Sequence, residues 1–216
     1  MNMKKRMLGI VLSGAMAVST AVSAGSFSAF AVAQCVAYSG SNVNDQDYVQ
    51  WSDTVKSYLT VCDNGNYMRV QSGAIKGKLL VEYYSSDFEP LSTKLIDNEL
   101  PIFGAFYDSG NNYYVLSGQE NPKQNDSLEV FRITKYDKNW NKIKSCGLYG
   151  ANTTVPFDAG SARMTHSGDH LLVRTCHEMY KSSDGNNHQA NVTIEVDMPS
   201  MTITDSYTGV MNVDYG

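Results

Sequence analysis

The stretch FGAFYDSGNNYYVL, residues 103–116, is the strongest indication of the fold. Two short runs of β-forming residues flank the turn DSGN (108–111), in which glycine supplies the positive φ of a tight hairpin. The same arrangement occurs around DNGN (63–66). It also occurs around HSGD (166–169), where His166 and Asp169 replace the Asp and Asn of the other two turns. Each of these stretches predicts a β-hairpin.

A second kind of hairpin alternates with the first along the chain. Its strands are predicted at residues 79–84 with 91–96, at 128–136 with 143–148, and at 191–196 with 201–207. The turn glycines Gly65, Gly110 and Gly168 are 45 and 58 residues apart, enough for one four-stranded sheet of two hairpins per repeat. Periods of this length are typical of propellers and similar arrays.

Two aromatic residues recur at matching places in these second hairpins. Phe88 and Trp140 each lie three residues before the next apolar position, Leu91 or Ile143. A repeated position indicates a repeated structural task. We therefore expect both rings to pack between blades rather than to stand exposed as platforms for sugar rings.

The repeat resembles the blade of secreted bacterial β-propeller-like proteins over roughly residues 56–209. The D-x-G-N turn before a Tyr/Val strand and the Y-D-x-x-W-x-x-I hairpin (136–143) carry this resemblance, and the third turn departs from it. RTCHEMY (174–180) and NHQAN (187–191) are similar to exported propeller-like proteins without a known function. The resemblance implies an all-β fold of about three four-stranded antiparallel blades. A β-sandwich, which shows the same alternation, is the alternative.

Three blades are too few for a closed ring, which has four to eight. Residues 210–216 look like the opening of a fourth blade. Either the chain is a piece of a longer protein, or it closes its ring with a second copy. Open sheet edges also predict self-association, because their backbone groups have no partner strand.

The N-terminus has the pattern of a secretory signal peptide. Lys4, Lys5 and Arg6 precede an apolar run, and Ala31-Val32-Ala33 offers the small residues that signal peptidase requires. We expect a signal peptide at 1–33, an N-terminal segment at 34–55 and a propeller-like domain at 56–216. An uncleaved membrane anchor is the alternative. The mature protein is expected to be extracellular and free of the membrane.

Charge argues against nucleic acid as a partner. Removing residues 1–33 removes three cations and no anions, which changes the net charge from −5 to −8. Binding to DNA or RNA requires a basic surface. No nucleic-acid partner is therefore expected.

Four cysteines follow the predicted cleavage site: Cys35, Cys62, Cys146 and Cys176. Outside the cell they could form two disulfides in any of three pairings. The last three also lie in predicted strands, where a free cysteine behaves as a small apolar residue. Both states are open on the sequence alone.

Reactive side chains concentrate between residues 166 and 188. All four histidines of the chain lie here, accompanied by acidic residues and by Arg163 and Arg174 on the flanking strands. The candidate ligand-binding residues are His177, Glu178, Tyr180, Asp184, His188 and Gln189. The excursion at 182–190 is the expected binding loop, since loops on a rigid β scaffold commonly carry recognition residues. No metal and no cofactor is assigned.

The functional expectation is a secreted binding or interaction module, with a glycan or another surface polymer as its partner. No local motif of a serine hydrolase, a zinc protease or a nucleotide-binding protein is present. The competing hypothesis is an extracellular polysaccharide hydrolase or lyase, with His177, Glu178 and His188 as acid–base groups. A third is an inactive fragment of a longer propeller protein.

Overall fold

The structure, a computed structural model, describes residues 54–158, 160 and 162–210. The predicted signal peptide, Cys35 and nearly all of the predicted N-terminal segment lie outside these residues, as do residues 211–216. Within the described ranges, no helix is long and apolar enough to span a membrane.

The described residues form three antiparallel sheets in which strands pair in chain order. Sheet 1 contains β1 (Ser57–Val61), β2 (Tyr67–Ile75), β3 (Lys78–Tyr84) and β4 (Pro90–Asp97). Sheet 2 contains β5 (Ile102–Asp108), β6 (Tyr113–Gly118), β7 (Glu129–Tyr136) and β8 (Lys142–Tyr149). Sheet 3 contains β10 (Arg163–Ser167), β11 (His170–Lys181), β12 (Asn187–Asp197) and β13 (Thr202–Tyr207), and β9 (Thr153–Pro156) pairs with β11.

Sheet 2 lies between the other two sheets. One apolar cluster joins its Tyr113 and Val115 to Met68 and Val70 of sheet 1, and a second joins its Leu116 to sheet 3. All six residues of β6 are buried, as a strand packed on both faces requires. Three antiparallel sheets of four or five strands, stacked in chain order, confirm the all-β, propeller-like prediction. A β-sandwich, which has two packed sheets, does not describe this arrangement.

The predicted turn glycines adopt the backbone conformation that the sequence required. Gly65, Gly110 and Gly168 have φ values of 79°, 90° and 56°. In the first turn the Gly65 amide donates to the Cys62 carbonyl at 2.9 Å and closes the hairpin. The first hairpin of every sheet is therefore fixed by local sequence.

In sheets 2 and 3, the turn of the second hairpin packs on the preceding sheet. Trp140 is 4% exposed, and its Nε1 donates to the Tyr83 hydroxyl of sheet 1 at 3.1 Å. Lys135 and Lys144 of sheet 2 in turn donate to backbone carbonyls of the turn between β12 and β13, at 3.0 and 2.7 Å. The predicted packing role is confirmed for Trp140.

The same prediction is wrong for Phe88. Its ring is 59% exposed and stacks on Tyr67 of its own sheet at 4.4 Å between centroids. The backbone is equivalent, since φ is 63° at both Phe88 and Trp140. The environments differ because no described sheet precedes sheet 1.

The three cysteines of the described residues carry free thiols. Cys62, Cys146 and Cys176 are all partly buried, and none is joined to another. Burial, with a smaller contribution from Glu129, raises the pKa of Cys146 to about 11. A disulfide to Cys35 lies outside what the structure describes.

Candidate functional site

The predicted binding loop is for the most part a regular hairpin. β11 and β12 pair over nearly their whole lengths, and only residues 182–186 lie between them. The Ser182 amide donates to the Asn186 carbonyl at 2.8 Å, and the Gly185 amide donates to Ser182 at 3.0 Å. The DNGN turn at 63–66 has the same bonding pattern. The DGN at 184–186 was the signal for this turn, and the sequence interpretation missed it.

His177 lies in the core, which corrects its assignment as a ligand contact. Its side chain is on the face of β11 that packs toward sheet 2, and the residue is 0% exposed. Its Nδ1 lies 2.6 Å from the Thr153 hydroxyl of β9. Burial disfavours the charged imidazolium and lowers the pKa of His177 to about 4. The residue is therefore a neutral structural histidine.

Glu178 points to the opposite face of the same strand. Side chains alternate along a strand, so Glu178 is turned away from the core that holds His177. It lies in register with Val155 of β9 and with Gln189 of β12. Gln189 donates its Nε2 to the Asp158 carboxylate at 2.8 Å. His177 and Glu178 thus cannot act on one substrate as an acid–base pair.

Tyr180 belongs to a network that holds the connection between β6 and β7. Its hydroxyl accepts a hydrogen bond from Asn121 Nδ2 at 2.9 Å. Asn121 also donates from the same amide to the Asn125 carbonyl at 3.1 Å. Partial burial, with a hydrogen bond to Asp126, raises the pKa of the Tyr180 hydroxyl.

Asp184 and His188 form an exposed pair at the tip of the β11–β12 hairpin. Asp184 Oδ2 and His188 Nε2 are 2.7 Å apart, and both side chains are about half exposed. The Asn186 amide and then His188 hold the pKa of Asp184 below its usual range. Both contacts are local to the turn, so the sequence brings this pair together without help from the rest of the fold.

Within residues 54–158, 160 and 162–210, no group of three or more His, Cys, Asp or Glu side chains has the arrangement that could hold a metal ion. In the oxygen-rich turn at 63–66, a side-chain oxygen accepts a hydrogen bond from the backbone of the turn itself. There the Asn66 amide donates to Asn64 Oδ1 at 3.1 Å.

A collection of exposed functional side chains lies on the face of sheet 3 that is turned away from sheet 2. We call this the outer face of sheet 3. Val173 and Ile194 point into the core, so their neighbours Arg174 and Thr193 point outward. The residues that the strand register places on this face include Arg163, Thr165, Ser167, His170, Leu172, Arg174, Cys176, Glu178, Gln189, Asn191, Thr193, Glu195, Asp205 and Tyr207.

An open groove of about 340 Å³ crosses this face. Its lining residues are Arg163, Met164, Thr165, Leu172, Val173, Arg174 and Thr193. Tyr207 is paired with Thr193 at its far side and is 45% exposed. The sequence interpretation noted the two arginines only as neighbours of the histidines and missed Thr193 and Tyr207. Alternation along β11 was the available signal, but it does not say which face meets solvent.

A second cavity, of about 330 Å³, lies between the hairpin turns of sheets 1 and 2. Its lining residues include Cys62, Asp63, Tyr83, Tyr113 and Lys138. Lys138 contacts the Asp108 carboxylate at 2.6 Å and lies 4.3 Å from the centroid of the Tyr113 ring. Burial raises the pKa of both the Cys62 thiol and the Tyr83 hydroxyl. Lys138 and the Tyr83 hydroxyl thus already have partners within the protein.

Comparison with known proteins yields no family. No family model matches the sequence, and no curated protein matches it. Among solved structures, a mutant ACO protein of Synechocystis superposes with a TM-score of 0.45 at 10% identity. A GH43 β-1,3-galactosidase with galactodeoxynojirimycin superposes with a TM-score of 0.38 at 12% identity.

The two alignments cover 71% and 69% of this chain. The chain spans only 38% and 44% of the two solved proteins. At these scores and identities, neither structure carries an argument about function. The functional conclusion therefore depends on the geometry of this chain.

Proposed function

We propose that this protein is a secreted carbohydrate-binding module and that the outer face of sheet 3 is its binding surface. The observation that carries the proposal is the burial pattern of β11, which alternates between exposed and buried residues over most of its length. One face of this strand belongs to the core, and the other presents polar groups to solvent beside an open groove.

The chemistry of this face suits a sugar. Guanidinium and hydroxyl groups at Arg174 and Thr193 offer hydrogen bonds to sugar hydroxyls, and the Tyr207 ring offers an apolar face to a pyranose. Leu172, two residues before Arg174 on the same face of β11, adds an exposed apolar contact.

Binding is favoured over hydrolysis because the acid–base residues do not converge. His177 is buried on the inner face of β11, Glu178 lies on the outer face, and His188 is at the hairpin tip. General acid–base catalysis requires groups within hydrogen-bond reach of one reacting bond. The enzyme hypothesis would need a different set of residues.

The test is a panel of polysaccharides assayed for binding by affinity electrophoresis and for product by release of reducing or unsaturated ends. We expect retardation by at least one polysaccharide without product. Tyr207→Ala should weaken that retardation about tenfold or more, on the scale of one lost aromatic contact. Tyr149→Ala is the matched control, because Tyr149 is 57% exposed on sheet 2.

Three results would contradict the proposal: no retardation by any polysaccharide, equal effects of the two tyrosine variants, or product release. If product appeared, His177→Ala and Glu178→Ala would test the enzyme hypothesis. Turnover that survived both substitutions would remove these residues from the reaction.

A further inference from the structure

The cavity of about 330 Å³ between sheets 1 and 2 contains a buried hydroxyl without a partner. Tyr113 lines this cavity and is only 5% exposed, yet its hydroxyl makes no hydrogen bond within the part of the chain that the structure describes. Its ring packs on Phe106 and Trp140. A buried phenol usually has a hydrogen-bond partner, because desolvating the hydroxyl without one costs free energy. The Tyr113 hydroxyl is therefore free to bond a ligand in the cavity.

Other polar groups of the cavity lie close to this hydroxyl. Burial raises the pKa of Tyr113, and the neighbouring Tyr83, Asp108, Cys62 and Asp63 raise it further. Interactions between charges weaken with distance and with screening, so these groups lie near the hydroxyl end of the Tyr113 side chain. All of them except Asp108 also line the cavity. The lining groups thus converge on the Tyr113 hydroxyl.

The cavity has an excess of negative charge. Lys138 contacts the Asp108 carboxylate at 2.6 Å, so these two charges offset each other. Asp63 is exposed, and its carboxylate makes no ion pair or hydrogen bond with the residues that the structure describes. A cleft with a net charge of one sign attracts ligands of the opposite sign. The cavity therefore favours a cation over an anion.

The lining groups suit a small organic cation with N–H donors. A primary ammonium donates three hydrogen bonds. The Asp63 carboxylate, the Tyr113 hydroxyl and the Asn66 side-chain amide are acceptors that line the cavity. The Tyr83 ring and the Cys62 thiol offer apolar contacts to the hydrocarbon part of such a ligand.

We propose that this cavity binds a small primary amine, whose ammonium group is held by Asp63 and Tyr113. Its volume of about 330 Å³ is at the lower end of the range for small-molecule sites, which limits the ligand to a small molecule. The site lies between sheets 1 and 2, whereas the proposed carbohydrate surface is on sheet 3. The inference therefore goes beyond the proposed function and does not depend on it.

The experiment measures the affinity of the full chain for ligands that share one pentyl chain: pentylamine, pentanol, pentanoate and pentyltrimethylammonium. NMR titrations give each affinity and locate the ligand through the amide resonances of Cys62, Tyr83 and Tyr113. Pentylamine should bind at least about tenfold more tightly than pentanol or pentanoate, because only its ammonium group forms charge-assisted hydrogen bonds with Asp63. The trimethylammonium compound keeps the charge without N–H donors and should bind with intermediate affinity. Raising the salt concentration should weaken pentylamine binding.

Asp63→Asn tests the carboxylate and should lower the affinity for pentylamine about tenfold or more, on the scale of a hydrogen bond to a charged group. Asp87→Asn is the matched control, because Asp87 is an exposed carboxylate of the β3–β4 turn and does not line the cavity.

Tyr113→Phe tests the hydroxyl and should lower the affinity for pentylamine about three- to tenfold, on the scale of one neutral hydrogen bond. The variant is expected to fold, because the hydroxyl that it removes has no partner within the described residues. Tyr114→Phe is the matched control, since the Tyr114 hydroxyl is also buried without a partner but belongs to the apolar cluster shared with sheet 3. Thermal unfolding of each variant checks the fold.

Three outcomes would overturn the inference. Pentanol or pentanoate could bind as tightly as pentylamine, which would remove the preference for an ammonium group. Asp63→Asn and Tyr113→Phe could lose no more affinity than their controls, which would place the ligand elsewhere. Pentylamine could also cause no saturable shift at the cavity resonances. Each of these results would leave the proposed function standing, because retardation by a polysaccharide is measured on a different surface.

Discussion

The two end sheets of the array differ in the character of their outer faces. On sheet 3, β11 alternates between exposed and buried residues, so one face is polar and solvated. On sheet 1, four consecutive residues of β3, Leu79 to Glu82, are all buried. Exposed apolar side chains surround this buried centre, among them Leu59, Val61 and Leu95. Tyr58 and Ile96 pack toward sheet 2. Since side chains alternate along a strand, Leu59, Val61 and Leu95 point away from sheet 2, on the outer face of sheet 1.

The difference in burial shows that the outer faces of sheet 1 and sheet 3 are two kinds of surface. Sheet 3 has the alternating pattern of a sheet with one face in the core and one in water. The continuous burial along β3 resembles that of β6 in the middle sheet, and the exposed Phe88 stands where Trp140 is covered. The outer face of sheet 1 thus has the composition of an interior packing surface. That of sheet 3 has the composition of a recognition surface.

The largest expected effect is a difference in the free energy of unfolding between substitutions at the two equivalent turn residues, Trp140 and Phe88. Trp140→Ala should lower the free energy of unfolding by about 3–5 kcal/mol, because it empties a buried site between sheets 1 and 2. Phe88→Ala should cost less than about 1 kcal/mol, since its ring is mostly exposed. Urea denaturation measures both. Equal losses would mean that Phe88 is as fully packed as Trp140.

A pH titration compares the two faces of β11. The pKa of His177 is about 4 in the folded protein and about 6.5 for an unperturbed histidine. Between these values the unfolded chain binds more protons at this side chain, so the contribution of His177 to stability falls as pH is lowered from 6.5 to 4 and is constant below that. The loss is roughly 3 kcal/mol.

His177→Gln should remove this part of the difference between the free energies of unfolding at pH 7 and pH 4. Glutamine can still hydrogen-bond the Thr153 hydroxyl, so the variant is expected to fold. His170→Gln, on the outer face of the same strand, is the control. Identical pH profiles for His177→Gln and the unsubstituted protein would place His177 in contact with solvent.

The smallest expected effect concerns the apolar residues at the margin of sheet 1. Replacing Leu59, Val61 and Leu95 together by threonine should reduce the binding of a hydrophobic dye by more than about half, because exposed apolar patches bind such probes. Leu172→Thr, on the outer face of sheet 3, should leave dye fluorescence nearly unchanged. A larger loss of dye binding in Leu172→Thr than in the sheet 1 variant would mean that the outer face of sheet 3, and not that of sheet 1, is the apolar one.

Local signals account for what the sequence predicted correctly. Turn glycines with Asn or Asp beside them identified the hairpins, and the repeat of those hairpins predicted the three sheets but not β9, the fifth strand of sheet 3. The burial of Trp140 followed from its repeated position. Phe88 shows the limit of that reasoning, because the same local sequence has a different environment at the end of an array. Self-association through open edges and export by the signal peptide stay predictions.

The candidate site could be predicted only in part. Alternation shows that His177 and Glu178 face opposite ways, but only the packing of sheet 3 on sheet 2 decides which of them is buried. The residues of the outer face of sheet 3 from Arg163 to Tyr207 lie on four strands and are spread over 45 positions of the sequence. They become neighbours through strand register, which no local motif encodes.

Hydroxyl-radical footprinting of the protein with a bound polysaccharide tests the central claim most directly. The account predicts that Leu172 and Tyr207 on the outer face of sheet 3 become protected from oxidation, while Leu59, Val61 and Phe88 on sheet 1 do not change. Protection of Phe88, or of Tyr83 in the cavity between sheets 1 and 2, with Tyr207 still oxidised, would contradict it and move the binding surface elsewhere.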